Sequence, residues 1–140
     1  MIKSISYHDV VRAIKDGRMV PYFQMIHSAE DGECSGVEIL TRIIDHDNRV
    51  ISPCEFLSIL ESQALALSAT ECVMTEAIRL LNTLHPQLPK HFRVSFNVGA
   101  FLLSSAGFSE LCCRLVSRLK RGIARREMPA EYLPGKIKQP

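Results

Sequence analysis

The residues best suited to chemistry lie in one apolar run, Ser35-Gly36-Val37-Glu38-Ile39-Leu40-Thr41-Arg42-Ile43-Ile44. Its β-branched side chains favour a buried strand, yet an acid and a guanidinium interrupt it. With a repeat of two, Gly36, Glu38, Leu40 and Arg42 share one face, and Val37, Ile39, Thr41 and Ile43 the other. Glu38 and Arg42 are about 13 Å apart in strand rise, too far to neutralise each other. Each needs another partner. Two separate ion pairs would satisfy them. So would a site in which Glu38 holds a cation and Arg42 an anion such as phosphate.

Two amides join this list. Gln24 lies in a strand-like segment, Met19 to Ile26, on the same face as Tyr22 and among apolar neighbours. A buried amide there must find partners, and a nearby backbone would suffice. Asn97 lies near the end of a second alternating segment, in which Phe92, Val94, Phe96 and Val98 interleave with Arg93, Ser95, Asn97 and Gly99. It can start the following turn or serve a site. The five histidines have no ligand spacing and no C-x-x-C pair is present, so a zinc site is not expected.

The elements that must position these groups are legible from period and caps. Tyr7, Val10, Val11 and Ile14 mark a short amphipathic helix, with Ser6 and Asp9 at its start and Gly17 at its stop. The polar turn 28–33 is hairpin-sized, which predicts antiparallel pairing of the strands on either side. Residues 45–49 read as a loop. Ser52-Pro53-Cys54-Glu55 predicts one helix start and Ser68-Ala69-Thr70-Glu71 another. The second helix should run to His85-Pro86. Phe108, Leu111, Cys112, Leu115, Val116 and Leu119 predict a last helix, with Gly122 as its stop.

In this order, Tyr22-Phe23-Gln24, Gly36 to Arg42, Ile51-Ser52-Pro53 with Phe56, and Val94-Ser95-Phe96-Asn97-Val98 resemble the first half of an EAL domain. That bacterial family hydrolyses the signalling nucleotide cyclic di-GMP to linear pGpG. The signature triplet is Glu38-Ile39-Leu40 here, Met25 replaces a proline and Gly99 a serine. The resemblance implies an α/β fold: a partial, truncated TIM-like (β/α) barrel of about three strands with flanking helices, its first strand antiparallel. It implies metal binding by Glu38 and Asn97, and substrate binding by Gln24, Leu40 and Arg42. The cofactors it implies are Mg or Mn, in two-metal phosphodiester hydrolysis. The family's later glutamates, paired aspartates, lysine and final glutamine have no counterpart in this chain. No catalytic residue is therefore assigned, stable metal binding is not expected, and whether the chain is an enzyme stays open. The leading expectation is an EAL-type fragment inactive alone, binding cyclic di-GMP weakly or not at all. The alternative is a degenerate module that regulates by protein contact.

The match runs over residues 8–104, and the truncated domain is expected over residues 1–122; residues 123–140 are expected to be a non-homologous, flexible tail. A complete barrel takes about 250 residues, so 140 can build only part of one. The chain is 46% hydrophobic and 23% charged, ordinary for a soluble globular protein. No run suggests a membrane span or a secretory signal, and five cysteines without a framework pattern fit a reducing compartment, so the cytoplasm is expected. Cys72 and Cys112 fall at apolar helical positions and are expected in the core. Residues 1–113 hold 9 Lys+Arg against 13 Asp+Glu, and residues 114–140 hold 8 against 2. This asymmetry reads as a solvated helix face with a basic tail; no nucleic acid partner is expected. An open barrel leaves sheet edges unpaired, which predicts self-association or a protein partner.

Overall fold

The computed structural model describes residues 4–89 and 91–120. Helix α1 (Tyr7–Lys15) begins as its sequence implies: Ser6 Oγ accepts from the Asp9 N–H at 3.2 Å, and Asp9 accepts from the Ser6 N–H at 2.8 Å. Gly17, at φ 72°, turns the chain into strand β1 (Met19–His27). β1 pairs antiparallel with β2 (Cys34–Ile44), setting Gln24 opposite Glu38. The intervening turn is closed by the Ser28 N–H donating to the Glu33 carbonyl at 2.8 Å.

β2 is the central strand. Its other edge is shared by β4 (Arg93–Phe96), which runs parallel beside Gly36–Ile39, and β3 (Val50–Ile51), antiparallel to Ile43 and Ile44. Among the described residues, Leu40, Thr41 and Arg42 have no strand neighbour on that edge. An antiparallel first strand followed by a parallel pair is the expected start of the barrel, and the fold is a partial TIM-like α/β structure. β3, just after the loop expected at 45–49, was not foreseen because two residues are too few to show alternation. The chain returns to it because Asp45 Oδ1 accepts from the N–H groups of Asp47 and Arg49, at 2.9 and 2.8 Å.

Val37, Ile39 and Ile43 form a core with Val10 of α1, Phe56 of α2 (Pro53–Ser62), Val73 and Leu81 of α3 (Ala66–Leu84), and Leu111 of α5 (Phe108–Arg118). A short helix, α4 (Ala100–Leu103), follows β4 and was not foreseen. α3 starts at Ala66, upstream of the expected cap Ser68, with Leu65 at its N-cap and no side-chain cap bond. Burial of Ala66 and Ala69 outweighs the cap preference. Ser52 does precede α2, with Pro53 in the first turn, but its hydroxyl lies 3.0 Å from Cys54 Sγ and caps no backbone N–H.

α5 packs against α3. Asn82 of α3 donates to the Arg118 carbonyl and accepts from the Lys120 N–H, both at 2.9 Å, and so holds the end of α5. Leu119 is extended and ends the helix, so the expected stop at Gly122 came too late. Gly122 and the expected tail, residues 123–140, lie outside the described residues. Cys72 and Cys112 are half-buried at the core, and burial pushes both thiols up from their ordinary value. No helix among the described residues is long and apolar enough to cross a membrane.

Candidate functional site

Three adjacent strands bring Gln24, Glu38 and Ser95 into one row across the sheet, since Gln24 pairs with Glu38 and Glu38 with Ser95. Asn97, two residues beyond Ser95 on the same face, reaches back: its Nδ2 donates to Glu38 Oε1 at 2.8 Å. This contact spans 59 residues of sequence. It exists because β4 lies close beside β2, and Gly36 permits that approach. A methyl group on Gly36 would run into the carbonyl of Arg93. A glycine inside a strand pattern was the available signal for a close backbone neighbour, and it went unused.

Gln24 is exposed, contrary to the expectation of a buried amide. β1 is buried only at its start, at Met19 and Pro21, and open from Tyr22 onward. Water can satisfy the Gln24 amide, so its presence in an apolar segment demands no internal partner.

Leu40 and Arg42 lie farther along β2, where the strand has no neighbour on one edge. They line a cavity of about 650 Å³ with Phe56, Leu60, Phe96 and Asn97. Its walls are mainly apolar side chains of α2, α3 and α4, none of them assigned to a site from sequence. Arg42 Nη1 donates to the Thr41 carbonyl at 2.7 Å, and among the described residues it forms no ion pair. Of the two sequence alternatives, a separate ion pair for each charge is not found among the described residues. Glu38 meets an amide, and Arg42 keeps most of its guanidinium donors for something else. Asn97 links the two places, touching Glu38 and lining the cavity beside Arg42.

A carboxylate and an amide oxygen are hard donors that suit Mg²⁺ or Mn²⁺. Glu38 and Asn97 are thus a chemically fitting pair for such an ion. No cluster of three or more His, Cys, Asp or Glu suited to a metal occurs among the described residues. The arrangement sets a carboxylate against an amide, with a guanidinium and that same amide on the wall of a mainly apolar cavity.

Comparison with known proteins gives this geometry a lineage. The EAL domain family model matches residues 8–127. The probable cyclic di-GMP phosphodiesterase PdeG of Escherichia coli K12 is 30% identical over 111 residues, covering 79% of this chain and 22% of that protein. The cyclic di-GMP phosphodiesterase PdeL of the same strain is 29% identical over 119 residues, covering 81% of this chain and 33% of PdeL. The chain therefore spans about a fifth to a third of these curated relatives. Among solved structures, the phosphodiesterase PaMucR in its c-di-GMP complex superposes with a TM-score of 0.73 at 24% identity, covering 83% of this chain and 48% of that one. The FimX EAL domain of Pseudomonas aeruginosa bound to c-di-GMP gives 0.66 at 19% identity, over 81% and 46%. At these identities the structures speak for the fold, and the family match speaks for descent: this chain belongs to the EAL domain family.

Proposed function

We propose that this chain is a truncated EAL-type domain, descended from a cyclic di-GMP phosphodiesterase, that retains part of a nucleotide site and does not hydrolyse the nucleotide alone. The observation that carries this reading is the Glu38–Asn97 contact, with Arg42 and Leu40 on the adjoining cavity. Gln24 stands across from Glu38 on the same face. In this reading Arg42 pairs with a phosphate, Leu40 packs against the nucleotide, and Gln24 hydrogen-bonds to it. Mg²⁺ or Mn²⁺ would be held by Glu38 and Asn97, and when bound would activate water and offset charge on the phosphate oxygens. Two protein donors leave most of an octahedral shell to water and phosphate, so stable retention of a metal is not expected. We place the protein in the cytoplasm, with no nucleic acid or membrane partner, a reading supported by its free cysteines.

Incubating the purified chain with cyclic di-GMP and Mg²⁺ or Mn²⁺ tests the first part. No linear product above a Glu38→Ala control is expected, and steady turnover above it overturns the reading. Calorimetry tests the second part: Arg42→Ala should weaken nucleotide binding by roughly tenfold, while Arg49→Ala leaves it unchanged. Arg49 is already engaged, by Asp45 at 3.3 Å and Glu55 at 3.4 Å. A chain with no affinity at all for the nucleotide would favour the second reading, a degenerate module that acts by protein contact. The observation behind that reading is the exposed apolar run Tyr22, Phe23, Met25 and Ile26.

A further inference from the structure

The outer edge of β1 has no strand beside it among the described residues. Among the described residues, half of the exposed large hydrophobic side chains lie in this one strand: Tyr22 is 41% exposed, Phe23 36%, Met25 53% and Ile26 38%. They lie on both faces of the strand, Tyr22 and Ile26 with Gln24 on one side, Phe23 and Met25 on the other. From Met19 to Ile26 there is no charged residue to discourage pairing with another strand.

Which backbone groups face outward follows from the ladder. The Ile44 N–H donates to the Arg18 carbonyl at 2.9 Å, so that pair is hydrogen-bonded. Antiparallel pairs alternate, so Val20, Tyr22, Gln24 and Ile26 turn their backbone groups toward β2, while Met19, Pro21, Phe23 and Met25 turn theirs to the free edge. Pro21 has no N–H to offer there, and a register shift interrupts the strand between Ile26 and His27. Phe23 and Met25 remain as the unimpaired outward pairing residues, with Gln24 midway between them. The strand also has a charge direction. Lys15, Asp16 and Arg18 flank its start with a net charge of +1, and Glu30, Asp31 and Glu33 flank its end with −3.

We propose that β1 is a self-association edge, on which a second copy of this chain pairs antiparallel about a two-fold axis at Gln24. Phe23 of each copy exchanges both backbone hydrogen bonds with Met25 of the other, and Tyr22 packs against Ile26. Antiparallel pairing brings the basic start of each β1 toward the acidic end of its partner; parallel pairing would set like charges together. Centring on Phe23 would place Pro21 in a hydrogen-bonding position, and centring on Met25 would draw in the irregularity at His27. Centring on Gln24 pairs Phe23 with Met25, the two unimpaired residues, and leaves Pro21 and His27 opposite each other at the ends of the ladder.

A residue on a two-fold axis faces its own copy, and this makes the register testable. In the full-length chain, Gln24→Lys sets two ammonium groups opposite each other and should weaken the dimer by roughly tenfold or more in analytical ultracentrifugation. Gln24→Glu should do likewise, and an equimolar mixture of the two variants should recover association. Gln24 forms a non-hydrogen-bonded pair with its copy, with Cα atoms about 4.5 Å apart, within disulfide reach. In a Cys54→Ser, Cys113→Ser background, Gln24→Cys should give the homotypic 24–24 disulfide on mild oxidation, identified by peptide mass. Tyr22→Cys in the same background should not link to itself. A chain that is monomeric at micromolar concentration, or a dimer indifferent to the charge pair and lacking the 24–24 link, overturns the proposal.

Discussion

Arg42 and Ile43 are neighbours in β2 with opposite surroundings. Ile43 is 1% exposed beneath the helices, whereas Arg42 is half-exposed and lines a cavity. The same division holds along the strand, with Val37 and Ile39 buried in the core and Glu38 and Leu40 only partly buried. One side of β2 holds the sheet to α1, α3 and α5; the other carries nearly every polar group of the candidate site. The difference separates stability from recognition one residue at a time. A strand's repeat of two lets a single segment do both.

The largest expected effect sets these neighbours against each other. Ile43→Ala should cost about 2–5 kcal/mol in chemical denaturation, through lost burial and a residual cavity. Arg42→Ala should change stability by no more than about 0.5 kcal/mol, because its side chain bonds the carbonyl of the adjacent Thr41 and forms no ion pair among the described residues. Comparable losses in the two variants would mean that Arg42 is a packing residue. Next in size is Gly36→Ala. Its methyl group meets backbone, which cannot rotate away, so a cost of about 1–3 kcal/mol is expected. The Asn97 side-chain amide should also shift in NMR spectra toward a solvated position as β4 moves off Glu38. An unchanged Asn97 signal would show that the strand spacing does not control that contact. The smallest effect lies on the outer surface of α3. Arg79 donates to Glu76 at 2.6 and 2.9 Å and holds its carboxyl below the ordinary 4.5. A depressed carboxyl stabilises the fold above its unfolded value and loses that contribution as pH falls through the folded one. Glu76→Gln should therefore lower Tm by no more than roughly 2 °C at neutral pH, with variant and parent converging as pH falls through the depressed value of the folded carboxyl.

Several features were legible because their causes are local. The Ser6–Asp9 capping box needs three consecutive peptide units to fix it, and α1 begins where those residues stand. The turn 28–33 carries its own hydrogen bonds from Ser28 and Asp31 side chains, so the hairpin followed from six residues. β3 and α4 escaped notice because each is too short for a period to emerge. The start of α3 was misplaced because Ser68 offers a good local cap, while burial of Ala66 is settled by distant residues.

The sequence by itself determined which residues share a face. Glu38, Leu40 and Arg42 must lie together on one side of their strand, because successive side chains alternate whatever surrounds them. It also placed Asn97 at the end of a strand and marked the family through residues in order. Only the tertiary structure decided that β4 runs beside β2 with Ser95 opposite Glu38, bringing Asn97 within 2.8 Å of that carboxylate. It alone left Gln24 exposed, opened the cavity at Arg42, and placed β1 at a sheet edge. Alternation is a property of a single strand. Strand neighbours, burial and cavities depend on which distant segments pack together, and that choice comes from the summed contacts of the whole fold.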